Sequence, residues 1–212
     1  MKSLLPIAVF AVALPALAVD GVTLINQSTL ATGGGFFTIS QPGSYKLSGN
    51  LLGNGTSCAF ALSANISCAI YVTAPNVNID LNGFTISVPR PASSEFPVAI
   101  LQGPSATTLT IRNGTIAIDP YYTSNHNAVL GLIPSGSGYV ALSFVAVMDL
   151  SISGSGSFGG VSAPYLFDRV MAPASAVVVG GASCPGLVSN SVLGITYDVC
   201  STLNSVVTQH TP

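Results

Sequence analysis

The chain has 212 residues, which is enough for one domain with a substantial apolar core. Hydrophobic residues make up 49% of the sequence and charged residues only 6%, well below the roughly 25% of a typical soluble domain. Five Lys and Arg residues neutralise too few phosphates for nucleic acid to be a partner.

The N-terminus predicts an export signal in residues 1–18. Lys2 supplies the positive start, Leu4–Leu14 the apolar stretch, and Ala16–Ala18 a small-residue cleavage site. The apolar run is too short to cross about 30 Å of hydrocarbon, and no later run is longer. We therefore expect a processed chain without a membrane span that is secreted, periplasmic or on the cell surface.

Residues 19–50 are predicted to form an N-terminal cap and the first turn of the fold. A short strand around Leu24 is followed by a Gly-rich break at 32–35. Two more strands, at 36–39 and 45–52, flank a Pro-Gly turn. These strands would cover the open N-terminal end of the fold.

The central stretch is Asn76–Ile86, which has an echo in Thr107–Ile118. In each, apolar and polar residues alternate as in a strand with one buried face, and an Asn-Gly pair follows at Asn82 or Asn113. Asn and Gly accept a positive φ, so the chain can bend there. One copy alone would indicate a hairpin, but the recurrence favours a repeat.

Weaker copies follow, each built around an Asn or Asp after an apolar residue. Their central residues are Asp149, Asp168, Asn190 and Asn204, and the steps from Asn82 onward are 31, 36, 19, 22 and 14 residues. A repeat of roughly 20 residues with insertions suits a coiled β-solenoid whose turns stack in parallel.

The segments Ile39–Leu51 and Ile79–Ile86 resemble those of secreted bacterial members of the right-handed parallel β-helix (pectin-lyase-like) family. The resemblance implies an all-β, single-stranded β-solenoid, with β-helix turns over residues 51–207 and a frayed tail at 208–212. A β-sandwich is the next alternative, but it needs evenly spaced antiparallel hairpins that the irregular steps do not provide.

Four cysteines in an exported chain indicate two disulfides. Of the three pairings, we favour the two local ones, Cys58 with Cys68 and Cys184 with Cys200, because each pair brackets a single loop or turn. No C-x-x-C spacing supports a metal site, and no motif indicates a cofactor.

Asp149 and Asp168 are the candidate catalytic residues. If they occupy the same position in consecutive stacked repeats, their backbones lie about 4.8 Å apart. A separation of roughly 5–5.5 Å between two carboxyl groups is typical of the catalytic pair of a retaining glycosidase. In a regular strand, Arg169 would point to the face opposite Asp168. The alternative is that this position is a structural bend in every copy.

The motifs of the family's enzymes are missing. The sequence contains none of the Asn-Thr-Asp, Asp-Asp, Gly-His-Gly or Arg-Ile-Lys motifs of polygalacturonase-like members. It also lacks the clustered carboxylates of the pectate-lyase-like calcium site. These departures favour a non-catalytic protein over an enzyme.

One loop combines aromatic rings, which stack on sugars, with amides that bind hydroxyl groups. Its candidate ligand-binding residues are Asp119, Tyr121, Tyr122, Asn125, His126 and Asn127.

The sequence therefore predicts a secreted or cell-surface β-helix protein, non-catalytic, that binds polysaccharide or self-associates through its C-terminal turn. The alternative is a small glycoside hydrolase or polysaccharide lyase acting on a uronic-acid-type polysaccharide.

Overall fold

The structure is a computed structural model, and the part of the chain that it describes comprises residues 21–54, 56–61, 64–89, 96–103, 106, 108–118, 128–132, 134–135, 138–139, 145–153, 157–161, 165–172, 177–180, 186–197, 201–203 and 206–211.

The described chain is mostly β-strand, which confirms the all-β prediction. In chain order its elements are β1 (Val22–Ile25), α1 (Gln27–Thr32), β2 (Phe37–Ile39), β3 (Gly43–Leu47), β4 (Leu51–Leu52), β5 (Ser57–Ala61), β6 (Ala64–Val72), β7 (Val77–Asp80), β8 (Thr85–Val88), β9 (Phe96–Gln102), β10 (Leu109–Ile118), β11 (Ala128–Leu132), β12 (Pro134–Ser135), β13 (Gly138–Tyr139), β14 (Val145–Ser153), β15 (Ser157–Val161), β16 (Tyr165–Met171), β17 (Val177–Gly180), β18 (Gly186–Ser189), β19 (Val192–Tyr197), β20 (Ser201–Leu203) and β21 (Val206–Thr211). Among these described elements, no helix has the length and apolar character needed to cross a membrane.

The strands pair in parallel to form three columns. Column 1 contains β1, β3, β7, the first half of β10, the first half of β14, β16, β18 and β20, each paired in register with the next. We number these eight positions levels 1 to 8. Parallel pairing of strands that lie 14 to 36 residues apart is what a stacked repeat requires.

Columns 2 and 3 are built in the same way. Column 2 runs through β4, β8, the second halves of β10 and β14, the end of β16, and the starts of β19 and β21. Column 3 runs through β2, β6, β9, β11, β15, β17 and the ends of β19 and β21. The chain visits columns 1, 2 and 3 in turn and then begins the next level.

The core consists of ladders of inward-facing side chains, because residues at one register position stack on each other from level to level. In column 1 the ladder is Tyr45, Ile79, Ile111, Val147, Phe167 and Val188. In column 2 it is Leu51, Ile86, Ile116 and Ile152. All of these side chains are buried, which explains the alternation read from the sequence.

The sequence analysis did not predict the helix α1. Its signal is Asn26-x-x-Thr29, a capping box in which the Asn26 side chain accepts from Thr29 N–H and the Thr29 hydroxyl accepts from Asn26 N–H. Leu30 is buried beneath it. The Gln27 amide donates to the Leu52 carbonyl (3.0 Å) and accepts from the Leu52 N–H (2.8 Å), so it occupies the outer edge of β4.

Cys58 and Cys68 form a disulfide, as predicted. It joins the antiparallel pair β5–β6, which departs from the parallel columns. Cys68 packs with Val98 and Leu101 in a small apolar cluster outside the main core. The other predicted pair, Cys184 and Cys200, lies outside the described residues.

Phe167→Ala should destabilise the protein by about 3–5 kcal/mol, because Phe167 is fully buried and its loss leaves a cavity in the column 1 ladder. Denaturant unfolding would measure the change. Leu24→Ala is the control: Leu24 is 56% exposed, and its truncation should change the free energy of unfolding by less than about 0.5 kcal/mol. Equal effects of both substitutions would contradict the assigned core.

Gly114→Ala should destabilise by about 1–3 kcal/mol. The bend after column 1 is two residues longer at level 3 than at level 4, and Leu81 and Phe84 belong to this longer bend. A Cβ added at Gly114 would lie 2.4 Å from Leu81 Cβ and 2.7 Å from the Phe84 carbonyl oxygen. Gly49→Ala is a matched control, since no atom lies within 4 Å of the added Cβ. Thermal melting of the two variants would separate the steric clash at Gly114 from the effect that any Gly→Ala substitution has on stability.

Candidate functional site

The bend between columns 1 and 2, which we call the corner, has an unusual backbone conformation at consecutive levels. The residues there with left-handed φ values of +49° to +60° are Asn82, Asn113, Asp149, Arg169 and Asn190. Asn and Asp tolerate this conformation better than other L-residues, which explains their recurrence in the repeat. Arg169 is the exception, because arginine lacks this tolerance, and its side chain pairs with Asp149 and Asp168 instead.

The prediction that Asp149 and Asp168 occupy equivalent positions is wrong. Met148 pairs with Asp168 and Leu150 with Val170, which leaves Asp149 opposite Arg169. Asp168 is therefore the last residue of column 1, whereas Asp149 lies at the corner. Spacing in the sequence aligned two acidic residues, but the strand register is fixed by the buried neighbours, Val147 against Phe167.

Arg169 does not point to the opposite face, as a regular strand would require. Its left-handed backbone turns the guanidinium toward the level before. Nη2 donates to Asp149 Oδ2 (2.9 Å), Nε donates to Asp149 Oδ1, and Nη1 pairs with Asp168. A planar guanidinium suits this two-pronged contact with one carboxylate, and it holds both acidic side chains in place.

Level 7 completes the arrangement around Asp168. The Ser189 hydroxyl donates to Asp168 Oδ1 (2.7 Å), and the Asn190 amide donates to the same oxygen (3.0 Å). The Ser191 hydroxyl accepts from Val170 N–H (3.0 Å). Hydrogen bonds thus connect levels 5, 6 and 7 along the corner.

A similar group lies at levels 3 and 4. Asp80 Oδ1 accepts from Asn82 N–H (2.8 Å) and from the Asn113 amide (3.1 Å). Arg112 Nη2 lies 3.5 Å from Asp80 Oδ2. In both groups, side chains of one level donate to a carboxylate of the level before.

All six charged side chains that the structure describes lie along this line. Lys46, Asp80, Arg112 and Asp168 occupy the same register position near the end of column 1, at levels 2, 3, 4 and 6. Asp149 and Arg169 follow at the corner of levels 5 and 6. We call these six residues the charged edge. Within the described part of the chain, this concentration marks the outer surface that carries the charged side chains.

Two acidic groups of this edge, Asp149 and Asp168, have a pKa below the ordinary value. The hydrogen bond from Arg169, aided by Arg112, lowers the pKa of Asp149 below its ordinary value. Hydrogen bonds from Ser189 and Asn190 lower the pKa of Asp168, although the charge of Asp149 opposes this. The hydrogen bond to Asp149, with the charges of Asp149 and Asp168, raises the pKa of Arg169.

These directions bear on the catalytic assignment. The general acid of a glycosidase has a raised pKa, so that it is protonated before it donates to the leaving group. Asp149 and Asp168 are shifted the opposite way. The geometry suits binding and pairing of charges better than proton transfer.

The other predicted site residues lie outside the described part of the chain. They are the ligand-binding residues Asp119, Tyr121, Tyr122, Asn125, His126 and Asn127. The described residues contain no group of three or more His, Cys, Asp or Glu side chains suited to a metal ion.

Comparisons with protein-family models, with curated proteins and with solved structures found no match to this chain.

Arg169→Gln should raise the pKa of Asp149 toward its ordinary value of 3.8, because the main cause of the shift is removed. A depressed native pKa stabilises the fold above the unfolded pKa, and this contribution is lost as pH falls through the native value. The variant should therefore lose less stability than the wild type on acidification below about pH 4.

Carboxyl NMR titration would measure both pKa values, and unfolding at several pH values would measure the stability. The pKa of Asp168 should rise less than that of Asp149, since Ser189 and Asn190 are the larger causes of its lowered pKa and Arg169 a smaller one. An unchanged pKa of Asp149 would contradict the assigned pairing with Arg169.

Proposed function

We propose that this chain is an exported, non-catalytic parallel β-helix that associates with other copies of itself. The path through three parallel columns supports the β-helix part of the proposal, and the resemblance of Ile79–Ile86 to the pectin-lyase-like family favours its right-handed form. The disulfide between Cys58 and Cys68 is compatible with an oxidising compartment outside the cytoplasm.

The observation that carries self-association is the placement of exposed apolar side chains. Leu24 and Leu52 lie at levels 1 and 2, and Met171, Leu187 and Val192 lie at levels 6 and 7. Levels 3 to 5 of the described chain contribute none. Exposed apolar groups rimmed by polar residues are typical of protein interaction surfaces.

These apolar groups flank the charged edge. Leu187 lies in column 1 two residues before Ser189, while Met171 and Val192 pair with each other just beyond the corner in column 2. Met171 is 63% exposed. Exposed apolar side chains on both sides of a hydrogen-bonded polar line resemble a protein interface more than a solvated surface.

Polysaccharide binding is the second role that the sequence predicts for a non-catalytic protein. Exposed carboxylate, amide and guanidinium groups that recur at the strand spacing would suit an extended polar polymer. The aromatic loop on which that prediction mainly depends lies outside the described residues. An enzyme is less favoured, because both candidate acids are held in the ionised form.

Sedimentation velocity of the processed, oxidised protein over a concentration series tests the proposal. We expect reversible association, and the double variant Met171→Gln, Val192→Gln should weaken it about tenfold or more. Thr38→Ala, an exposed change in column 3, is the control and should leave it unaltered. A protein that stays monomeric at high concentration would refute self-association.

An assay for reducing ends and unsaturated products on acidic and neutral polysaccharides should show no turnover. Turnover that is lost in Asp149→Asn and Asp168→Asn variants would instead establish the enzyme alternative. Co-sedimentation with the same polysaccharides would test the binding role separately.

A further inference from the structure

The signs of the charges alternate along the charged edge. Lys46 at level 2 is followed by Asp80 at level 3, Arg112 at level 4 and Asp149 at level 5. Successive levels of a parallel stack lie about 4.8 Å apart, so the edge presents a regular series of opposite charges. Level 6 carries both signs, in Asp168 and Arg169. When a second copy is reversed so that its level 5 faces level 4, Arg112 of each copy faces Asp149 of the other, and level 3 with Asp80 faces level 6 with Asp168 and Arg169.

Arg112 is the member of this edge with the most unused capacity. Its guanidinium has five N–H donors and approaches Asp80 at 3.5 Å through one of its nitrogens. Its side chain is 46% exposed. Arginine is enriched in protein interfaces and in the residues that dominate their affinity.

The neighbouring acid is equally accessible. Asp149 is 47% exposed at the corner of the next level, and each of its oxygens can accept more than the one bond it takes from Arg169. Arg112 and Asp149 lie at levels 4 and 5, in the middle of the eight levels. A contact between this pair in two copies would therefore lie at the centre of the overlap.

A reversed second copy also matches the apolar groups. When level 4 of one copy faces level 5 of the other, level 2 faces level 7. Leu52 then lies opposite Val192, both in column 2, because a two-fold axis across the columns keeps column 2 against column 2. A second copy in the same direction with levels matched would instead place Arg112 against Arg112, and like charges oppose that arrangement.

End-to-end stacking through the N-terminal end of column 2 has no free edge to use. Gln27 already bonds both the N–H and the carbonyl of Leu52 on the outer side of β4. Pairing through β20 and β21 at the other end is the alternative route that the sequence predicts.

We infer that the charged edge is a two-fold interface for a second, antiparallel copy of this chain, in which Arg112 of each copy pairs with Asp149 of the other. The inference rests on the proposed self-association and specifies its geometry. The contact is isologous and closes on two copies, so it predicts a dimer and not an open fibre.

Charge reversal and mixing test this arrangement. Arg112→Glu alone places two carboxylates together at both contacts, and Asp149→Lys alone places two cations together. Each variant should associate at least about tenfold more weakly than the wild type in sedimentation velocity. An equimolar mixture should recover a dimer, since every contact then joins opposite charges.

Thr38→Glu, which adds a charge on column 3, is the matched control and should dimerise like the wild type. Melting curves check that each variant folds, because Arg112→Glu also faces Asp80 and Asp149→Lys also faces Arg169 within the chain. If either fails to fold, the neutral variants Arg112→Gln and Asp149→Asn replace them, and each should weaken the wild-type dimer.

The outcomes separate the two proposals. Recovery of the dimer in the mixture, which a purely intramolecular effect does not explain, supports the interface. Association of the wild type that is unaffected by either variant, or not recovered on mixing, overturns the interface and leaves self-association through another surface. A wild-type protein that does not associate overturns both.

Discussion

The backbone at the corner is the constraint on which the rest of the described structure depends. At five levels the residue there has a left-handed φ, and this conformation turns the chain from column 1 into column 2 while both remain in parallel register. The turn recurs at the same register position at levels 4 to 7 and one residue later at level 3, so the buried residues before and after it stack into ladders. The same turn brings polar side chains of successive levels into contact outside the core.

Those contacts stabilise a conformation that costs energy for most residues. Asn and Asp meet the requirement through their own tolerance of left-handed backbone. Arg169 lacks that tolerance, and its pairing with Asp149 and Asp168 supplies the compensation. An ion pair this exposed contributes little to stability by itself. Its larger effect is to order a line of charges on a chain that has few.

The charged edge stands out because the chain carries few charges. Elsewhere the described surface depends on Ser, Thr and Asn for solubility, and the exposed large apolar groups lie near the ends of the stack. The pairing of two copies that we propose rests on this line of charges between apolar groups. A catalytic role for the same acids would require the opposite shift of at least one pKa.

The sequence by itself determined the all-β character, the recurrence of a bend at Asn82 and Asn113, and the Cys58–Cys68 disulfide, because alternation, turn chemistry and cysteine spacing are local signals. It did not predict α1, whose capping box at Asn26 is a short signal. It also aligned Asp149 with Asp168, whereas the residue opposite Asp149 is Arg169. Only the tertiary structure decided which side chains share a level, because register depends on buried neighbours far apart in the chain, such as Val147 and Phe167. The charged edge exists only once that register is set.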